Sequence, residues 1–156
     1  MAIPLATWLG TATEYAPAGY AIGLHVRFTS PTYLFQTYPA AWNEHYSANG
    51  LVMQDPTVAW GFSETGARRW SDLMSQDAAN VLGQAAEFGL VFGVMVSSLQ
   101  NGSRSLGGFA RADREFSGEE MERLTALMDA VHALTADEAA ISPEDQRTIT
   151  EQSVTV

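Results

Sequence analysis

The spacing of apolar residues changes several times along the chain, and each spacing predicts an element of secondary structure. Residues 3–16 carry their apolar side chains on one side of a helix, which Pro17 ends. From residue 20 to residue 28 the sequence alternates, which predicts a half-buried strand. Its inward residues are Tyr20, Ile22, Leu24, Val26 and Phe28. His25 falls on the opposite face, where we expect it to be solvated.

The remaining elements are marked by turn residues and helix caps. In chain order they are a strand over 33–37, a helix from Pro39 to about Asn49-Gly50, an apolar segment over 57–62, a loop over 63–70, a helix over 75–88, strands over 90–99 and 105–112, and a helix from Ser117 to Leu134. Residues 57–62 fit either a strand or a helical turn, and the loop is expected to be mobile. Ser75 is expected to cap the helix that follows it. Asn101-Gly102 predicts a tight hairpin between the late strands, and Ser117 with Glu120 predicts a capping box.

Helices on both sides of a sheet predict an α/β (α+β) fold. We expect an α-β-α sandwich with a central, mainly antiparallel sheet of about five strands. Residues 1–134 are predicted to form one domain, with the methionines of its last helix filling the core. Residues 135–156 are polar and acidic with little apolar periodicity, so they are predicted to be a partly disordered tail.

Composition narrows the class of protein. The chain has 156 residues, of which 46% are hydrophobic and 17% charged, as expected for a compact domain. It has no cysteine, and its apolar runs are too short to span a bilayer. Its net charge of −10 combines 18 acidic residues with 8 scattered arginines, which disfavours direct binding to nucleic acid. We therefore expect a cytoplasmic location, with neither nucleic acid nor membrane as a partner of this chain.

The most informative stretch places aromatic side chains beside one carboxylate. Tyr38, Trp42 and Tyr46 recur every four residues, so their rings share one face of the helix. Asp55, held by the proline after it, and Trp70 follow. Rings with O–H and N–H donors and one acceptor-only group suit a small, mostly apolar ligand with an amide-like head. The same ring spacing also fits core packing, and Asp-Pro also fits a simple turn.

Taken together, these residues resemble a known family. The pattern consists of Tyr38-Pro39-x-x-Trp42-x-x-x-Tyr46, Asp55-Pro56, Trp70 and Phe88-Gly89-x-x-x-Gly93. In order and spacing it is similar to the autoinducer-binding domain of LuxR-type quorum-sensing regulators, from about Ala18 to Ala112. That resemblance implies the same α-β-α sandwich and a ligand buried between the sheet and one helical layer.

The resemblance also implies a ligand, an N-acyl-homoserine lactone, and a role for each matched residue. Asp55 would accept from the ligand's amide N–H, and Trp42 would donate to the lactone carbonyl. Tyr38 and Tyr46 would donate to the amide carbonyl or line the channel, and Trp70 would pack on the lactone ring. The acyl chain would lie along Leu34, Val58 and Leu82. Ala110 stands where many relatives carry a Ser or Thr hydroxyl near the amide.

Partners follow from the same resemblance. Full-length members continue into a helix-turn-helix domain that binds DNA, and the acidic residues after 134 are too few to form one. We expect ligand-dependent folding and dimerisation, as a homodimer or as a heterodimer with a full-length LuxR-type regulator. The chain is then either a piece cut at a domain boundary or a regulator without its DNA-binding half. No cofactor or metal is expected.

Two other classes of function compete with a signal sensor. An enzyme is disfavoured, because the chain has no nucleophile elbow and no cysteine, and its three histidines are far apart in sequence. Asp55 with His45 is the sole pair with acid–base potential. The second alternative is a ligand-independent interaction module of the same fold, which would dimerise with and inhibit a full-length regulator.

Overall fold

The computed structural model describes residues 2–28 and 30–154, which form an antiparallel sheet with helices on both faces. The elements are α1 (Leu5–Tyr15), β1 (Gly19–Arg27), β2 (Ser30–Gln36), α2 (Ala40–Ala48), α3 (Pro56–Ser63), β3 (Gly66–Arg69), α4 (Val81–Glu87), β4 (Phe92–Gln100), β5 (Ser103–Arg111), α5 (Gly118–Leu134) and α6 (Pro143–Gln152). Short 3₁₀ turns span Leu51–Gln54, Trp70–Gln76 and Glu138–Ala140. The predicted fold class is confirmed.

The five strands lie in the order β2-β1-β5-β4-β3, and every neighbouring pair is antiparallel. Strands β4 and β5 form the predicted hairpin, with Asn101 and Gly102 as its two loop residues. Their φ angles are 53° and 77°. Positive φ at both central positions is what a type I′ turn requires, because its twist matches that of the flanking strands.

Each face of the sheet is covered by its own helices. The first face packs against α1 and α5 in a cluster that contains Ile22, Phe35, Val94 and Phe109, all at most 1% exposed. Met128 of α5 is fully buried in the same cluster, as predicted for a core-filling methionine. On the opposite face, a smaller apolar cluster joins α2, α4 and the Trp70–Gln76 turn. This second face holds the candidate site.

A β-bulge in β1 corrects the predicted alternation of that strand. The register with β5 shifts between Gly23 and Val26, and His25 has a φ of 52°. The extra residue reverses the in–out phase. Val26 therefore lies on the second face, and His25 is 7% exposed instead of solvated. Phe28, predicted to face inward, is fully exposed.

The bulge brings His25 against His132 of α5, with the ring centroids 4.2 Å apart. Nδ1 of His25 lies 2.7 Å from the Ser103 hydroxyl, and Nε2 lies 3.0 Å from the carbonyl oxygen of His132. Nδ1 of His132 lies 2.7 Å from the Ser105 hydroxyl. Burial lowers the pKa of both imidazoles, and for His132 the proximity of His25 lowers it further. Both imidazoles are therefore buried in their neutral form.

Two further segments differ from their predictions. The loop predicted over 63–70 contains β3, whose backbone pairs with β4, and the guanidinium of Arg69 donates to the carbonyl oxygen of Phe116 at 2.8 Å. A four-residue edge strand is too short to show an alternating pattern. Ser75 does not cap α4. The first N–H groups of α4 donate instead to the carboxylate of Asp77. Residues 57–62, which fitted either a strand or a helical turn, are helical.

The C-terminal segment is more ordered than its composition suggests. Ser117 and Glu120 form the predicted capping box at the start of α5, but α6 then follows in the predicted tail. Asp145 of α6 is 4% exposed, and its Oδ1 accepts from the backbone N–H of Leu5 at 2.9 Å. It thus satisfies a donor that α1 leaves free at its own start. The two residues are 140 positions apart in the sequence, so composition does not reveal their contact. The division of the chain at residue 135 remains a prediction.

Acidification is expected to destabilise the fold through the histidine pair. Because the folded pKa of both imidazoles lies below the ordinary 6.5, the unfolded chain binds more protons as pH falls through that value. The contribution of the two neutral imidazoles to the free energy of unfolding is complete above pH 6.5 and is lost as the pH falls below it. Thermal unfolding followed by circular dichroism should show a lower Tm at about pH 5.5 than at about pH 7.5. In the double variant His25→Asn/His132→Gln, Tm should fall less between these two pH values. An equal fall in the variant and the parent would contradict this account.

Removing the Asp145 carboxylate is expected to destabilise the domain. Asp145→Ala leaves the buried N–H of Leu5 without its acceptor. We expect a loss of about 1–3 kcal/mol in the free energy of unfolding, measured with urea. Glu144→Ala is the matched control, because Glu144 is an exposed neighbour in the same helix turn. Equal stabilities for the two variants would show that α6 does not support α1.

Candidate functional site

A cavity of about 550 Å³ lies between the second face of the sheet and helices α2, α3 and α4. Its wall is mostly apolar. The lining residues are Ala21, Gly23, Val26, Pro31, Leu34, Gln36, Tyr38, Trp42, Tyr46, Val52, Met53, Asp55, Thr57, Val58, Ala59, Phe62, Trp70, Val81, Leu82, Ala85, Met95, Leu106 and Gly108. Val52 and Met53 are 49% and 85% exposed, so they lie where the cavity opens to solvent.

The structure brings eight of the nine predicted site residues to this cavity. They are Leu34, Tyr38, Trp42, Tyr46, Asp55, Val58, Trp70 and Leu82. Ala110 is the exception: it is fully buried in the apolar cluster of the second face and does not line the cavity. Gly108, two residues earlier on the same face of β5, does line it. A contact of Ala110 with the ligand therefore stays a prediction, and Gly108 is the nearby residue of β5 that lines the cavity.

The aromatic stripe of α2 serves both of the roles considered for it. Trp42 is 5% exposed and packs with Tyr46 and Phe88 at centroid distances of 5.5 and 5.4 Å. Its ring also lines the cavity, and its indole N–H makes no hydrogen bond to the residues that the structure describes. Trp42 is thus a core residue that presents a free donor.

Asp55 is held in one orientation by three hydrogen bonds. As the N-cap of α3, its Oδ1 accepts from the backbone N–H and the hydroxyl of Thr57, at 2.9 and 2.7 Å. Its Oδ2 accepts from the hydroxyl of Tyr46 at 2.8 Å. A carboxylate has about four lone-pair positions, so these contacts leave an acceptor position unused. The turn predicted from Asp-Pro and the site predicted from the carboxylate coincide.

Both tyrosines act as donors. Burial raises the pKa of Tyr38 and of Tyr46 well above the usual value, and the negative charge of Asp55 raises both further. They stay protonated at neutral pH. The Tyr46 hydroxyl is committed to Asp55, whereas the Tyr38 hydroxyl makes no hydrogen bond to the described part of the chain. It lies 2.9 Å from where a Cβ on Gly108 would stand, so this glycine gives it room.

Trp70 closes the cavity by lying directly on the backbone of β4. A Cβ added to Gly93 would lie only 2.0 Å from Cδ2 of the indole. Position 93 must therefore be glycine for Trp70 to keep its place. The indole nitrogen is buried and has no hydrogen-bond partner among residues 2–28 and 30–154.

Comparison with known proteins decides the family. The family described as "Autoinducer binding domain" matches residues 17–135, which are most of the chain and include all five strands. This chain belongs to the autoinducer-binding domain family. The domain is the sensing part of LuxR-type transcriptional regulators, as the resemblance of its aromatic and carboxylate pattern implied.

Similar proteins agree with this assignment. The transcriptional activator SolR of Ralstonia nicotianae is 38% identical over 106 residues, which are 65% of this chain and 45% of SolR. This autoinducer-binding domain thus spans under half the length of that relative. Being similar to transcriptional activators supports a role other than catalysis.

Solved structures show the same fold. An N-acylhomoserine-lactone-dependent LuxR-family factor, CepR2 of Burkholderia cenocepacia, superimposes with a TM-score of 0.62 at 17% identity, covering 90% of this chain and 84% of that one. SdiA in complex with octanoyl-rac-glycerol gives 0.64 at 23% identity, covering 89% and 62%.

Several cavity residues of this autoinducer-binding domain were not predicted. Thr57 is signalled by its place after Asp55-Pro56, where an N-cap side chain commonly accepts from the backbone N–H of the second helical residue. Gln36 follows Leu34 at the strand period of two, so the alternation that predicted Leu34 also predicts it. Gly108 and Gly23 have no side chain to signal a role. The strand pairing alone brings them to the cavity.

Metal-type clusters, membrane-length helices and a His45–Asp55 acid–base pair are each absent from the described part of the chain. Within residues 2–28 and 30–154 there is no group of three acidic or histidine side chains arranged to hold a metal, and no helix long and apolar enough to cross a membrane. The pair with acid–base potential does not form. His45 Nε2 lies 2.7 Å from Oε1 of Gln84, while Asp55 is bound by Tyr46 and Thr57.

Replacing Gly93 is expected to displace the Trp70 indole. Gly93→Ala places a methyl group at 2.0 Å from the ring, and overpacking of this kind costs about 1–3 kcal/mol. Urea unfolding monitored by tryptophan fluorescence measures the loss. Gly10→Ala in α1 is the matched control, because nothing lies within 4 Å of its Cβ. That variant should be as stable as the parent or more so. Unchanged stability of Gly93→Ala would mean that the indole does not lie there.

Proposed function

We propose that this domain binds an N-acyl-homoserine lactone in the cavity between the sheet and helices α2 and α3. Asp55 carries the proposal, because its oriented carboxylate shares a mostly apolar cavity with the free donors of Trp42 and Tyr38. Its unused acceptor position suits the amide N–H of the ligand, in a hydrogen bond strengthened by charge. The free indole N–H of Trp42 suits the lactone carbonyl.

The tyrosines divide the remaining roles. Tyr46 already donates to Asp55 and orients it, so donation to a ligand would break that bond. The Tyr38 hydroxyl has no such commitment and is the better donor to the amide carbonyl. Trp70 offers its ring to the lactone, and Leu34, Val58 and Leu82 offer apolar surface to the acyl chain, where each buried methylene contributes about 0.8 kcal/mol.

Binding would act on transcription through the stability of the fold. A ligand enclosed by the second face stabilises the folded state by mass action, by about 2.7 kcal/mol at a concentration 100 times its Kd. The folded domain would then dimerise, either with itself or with a full-length LuxR-type regulator. Sedimentation of the purified domain with and without ligand tests dimerisation separately from binding.

The binding test is thermal unfolding of ligand-free domain against N-acyl-homoserine lactones of different chain lengths. We expect Tm to rise with one class of chain length. Asp55→Asn keeps an oxygen for the Thr57 cap but removes the charge, and Trp42→Phe removes the N–H donor. Asp55→Asn should weaken binding roughly tenfold or more, since a hydrogen bond to a charged group contributes about 1.5–3 kcal/mol. Trp42→Phe should weaken it by a smaller factor, since a neutral hydrogen bond contributes about 0.5–1.5 kcal/mol.

Two controls match these variants outside the cavity. Asp137→Asn alters a carboxylate that caps the Glu138–Ala140 turn, and Trp8→Phe alters an indole that packs on the first face. Both should keep the full shift in Tm. If folded, ligand-free protein gave no shift with any lactone, the proposal would fail in favour of the ligand-independent interaction module. Octanoyl-rac-glycerol, which lacks both amide and lactone, tests whether the acyl chain alone suffices.

A further inference from the structure

One polar side chain of the cavity has no part in the contacts assigned above. Gln36, at the end of β2, lines the cavity, and its side-chain amide makes no hydrogen bond to the residues described. Leu34 precedes it on the same face of the strand, and Tyr38 follows it. An amide in a mainly apolar wall is costly to cover without a partner. The Gln36 amide therefore favours a ligand that offers it a hydrogen-bond partner.

The sheet leaves open space in front of this amide. Strand register aligns Gln36 with Ala21 of β1, Ala21 with Gly108 of β5, and Gly108 with Met95 of β4. All four residues line the cavity. Since Ala21 and Gly108 have almost no side chain, the two middle strands form a shallow trough that Gln36 borders on one side.

The position of the trough relates it to the proposed amide contacts. The Tyr38 hydroxyl lies over Gly108, near the middle of the trough. Gln36 lies in the same cross-strand row as Gly108, two strands away, which is about 9.6 Å at about 4.8 Å per strand. Its side chain and the Tyr38 hydroxyl therefore border the trough from opposite sides. With Tyr38 and Asp55 at the ligand's amide and Leu34 on its acyl chain, Gln36 faces the first carbons of the chain.

We propose that Gln36 is a specificity-determining residue, which hydrogen-bonds to an oxygen substituent on the acyl chain next to the ligand amide. A side-chain amide offers both N–H donors and a carbonyl acceptor, so it suits a 3-oxo or a 3-hydroxy group. An unsubstituted chain would cover the amide without pairing it. A buried polar group left unpaired discriminates against the ligand that lacks its partner. This inference rests on the proposed function and names its ligand class.

The test compares lactones of equal chain length with and without the 3-oxo group. Titration calorimetry should give the parent protein a preference of roughly tenfold for the substituted ligand, the size expected for one hydrogen bond. Gln36→Met keeps the length of the side chain and removes its polar atoms. It should abolish the preference by weakening the substituted ligand, while the unsubstituted ligand binds as well or better.

The control is Gln100→Met, at an exposed position of β4 outside the cavity, which should keep the parent preference. Unfolding without ligand checks that each variant is folded, and Gln36→Leu replaces Gln36→Met if it is not. Equal affinities for both lactones in the parent, or a preference that survives in the variant, would overturn the proposal. An equal loss for both lactones would place Gln36 on the ligand amide and overturn it too. Failure of the proposed function looks different, because then no lactone binds.

Discussion

The carboxylate of Asp55 is the contact on which the cavity depends. It starts α3 by accepting from Thr57, and it ties that helix to α2 through the hydroxyl of Tyr46. The two helices that roof the cavity are thereby joined at one charged group. Because the charge is held by neutral donors, it keeps acceptor capacity for a ligand. Structural and binding roles thus meet in the same atoms.

The two faces of the sheet differ in the size of the side chains that they present. Toward α1 and α5 it presents large residues, including Phe35 and Phe109, and that face is a continuous core. Toward α2 and α3 it presents Ala21, Gly23 and Gly108. Small residues cannot fill the space beneath the helices, so a cavity remains there. One antiparallel sheet therefore supplies stability on one side and room for a ligand on the other.

A cavity of this size has an energetic consequence. Empty apolar volume in a protein interior forfeits packing contacts, so the second face stabilises the domain less than the first. A ligand with an apolar chain restores those contacts. The link proposed between signal and folding rests on this difference between the two faces. The contact of Asp145 with α1 lies on the other side and is independent of it.

Elements built from neighbouring residues could be predicted from the sequence. The Asn101-Gly102 hairpin and the Ser117–Glu120 capping box depend on local backbone geometry, and each lies where its pattern indicated. Trp42 and Tyr46 lie on α2 as their spacing indicated, whereas Tyr38 precedes the helix, which begins at Ala40 and not at Pro39. The cluster of Tyr38, Trp42 and Asp55 could be predicted too. Its members lie within 18 residues of one another, so two helix starts are enough to bring them together.

The rest was decided by contacts between distant parts of the chain. The bulge at His25 reverses a strand that reads as regular, because its cause lies in the pairing with β5 and in the packing against His132. Gly108 was not predicted, because a sequence does not show which residue of a strand lies beneath Tyr38. By itself the sequence determined the fold class, most of the elements and most of the aromatic wall. Only the tertiary structure decided the floor of the cavity, since glycine and alanine carry no chemical signal until strand register sets what they face.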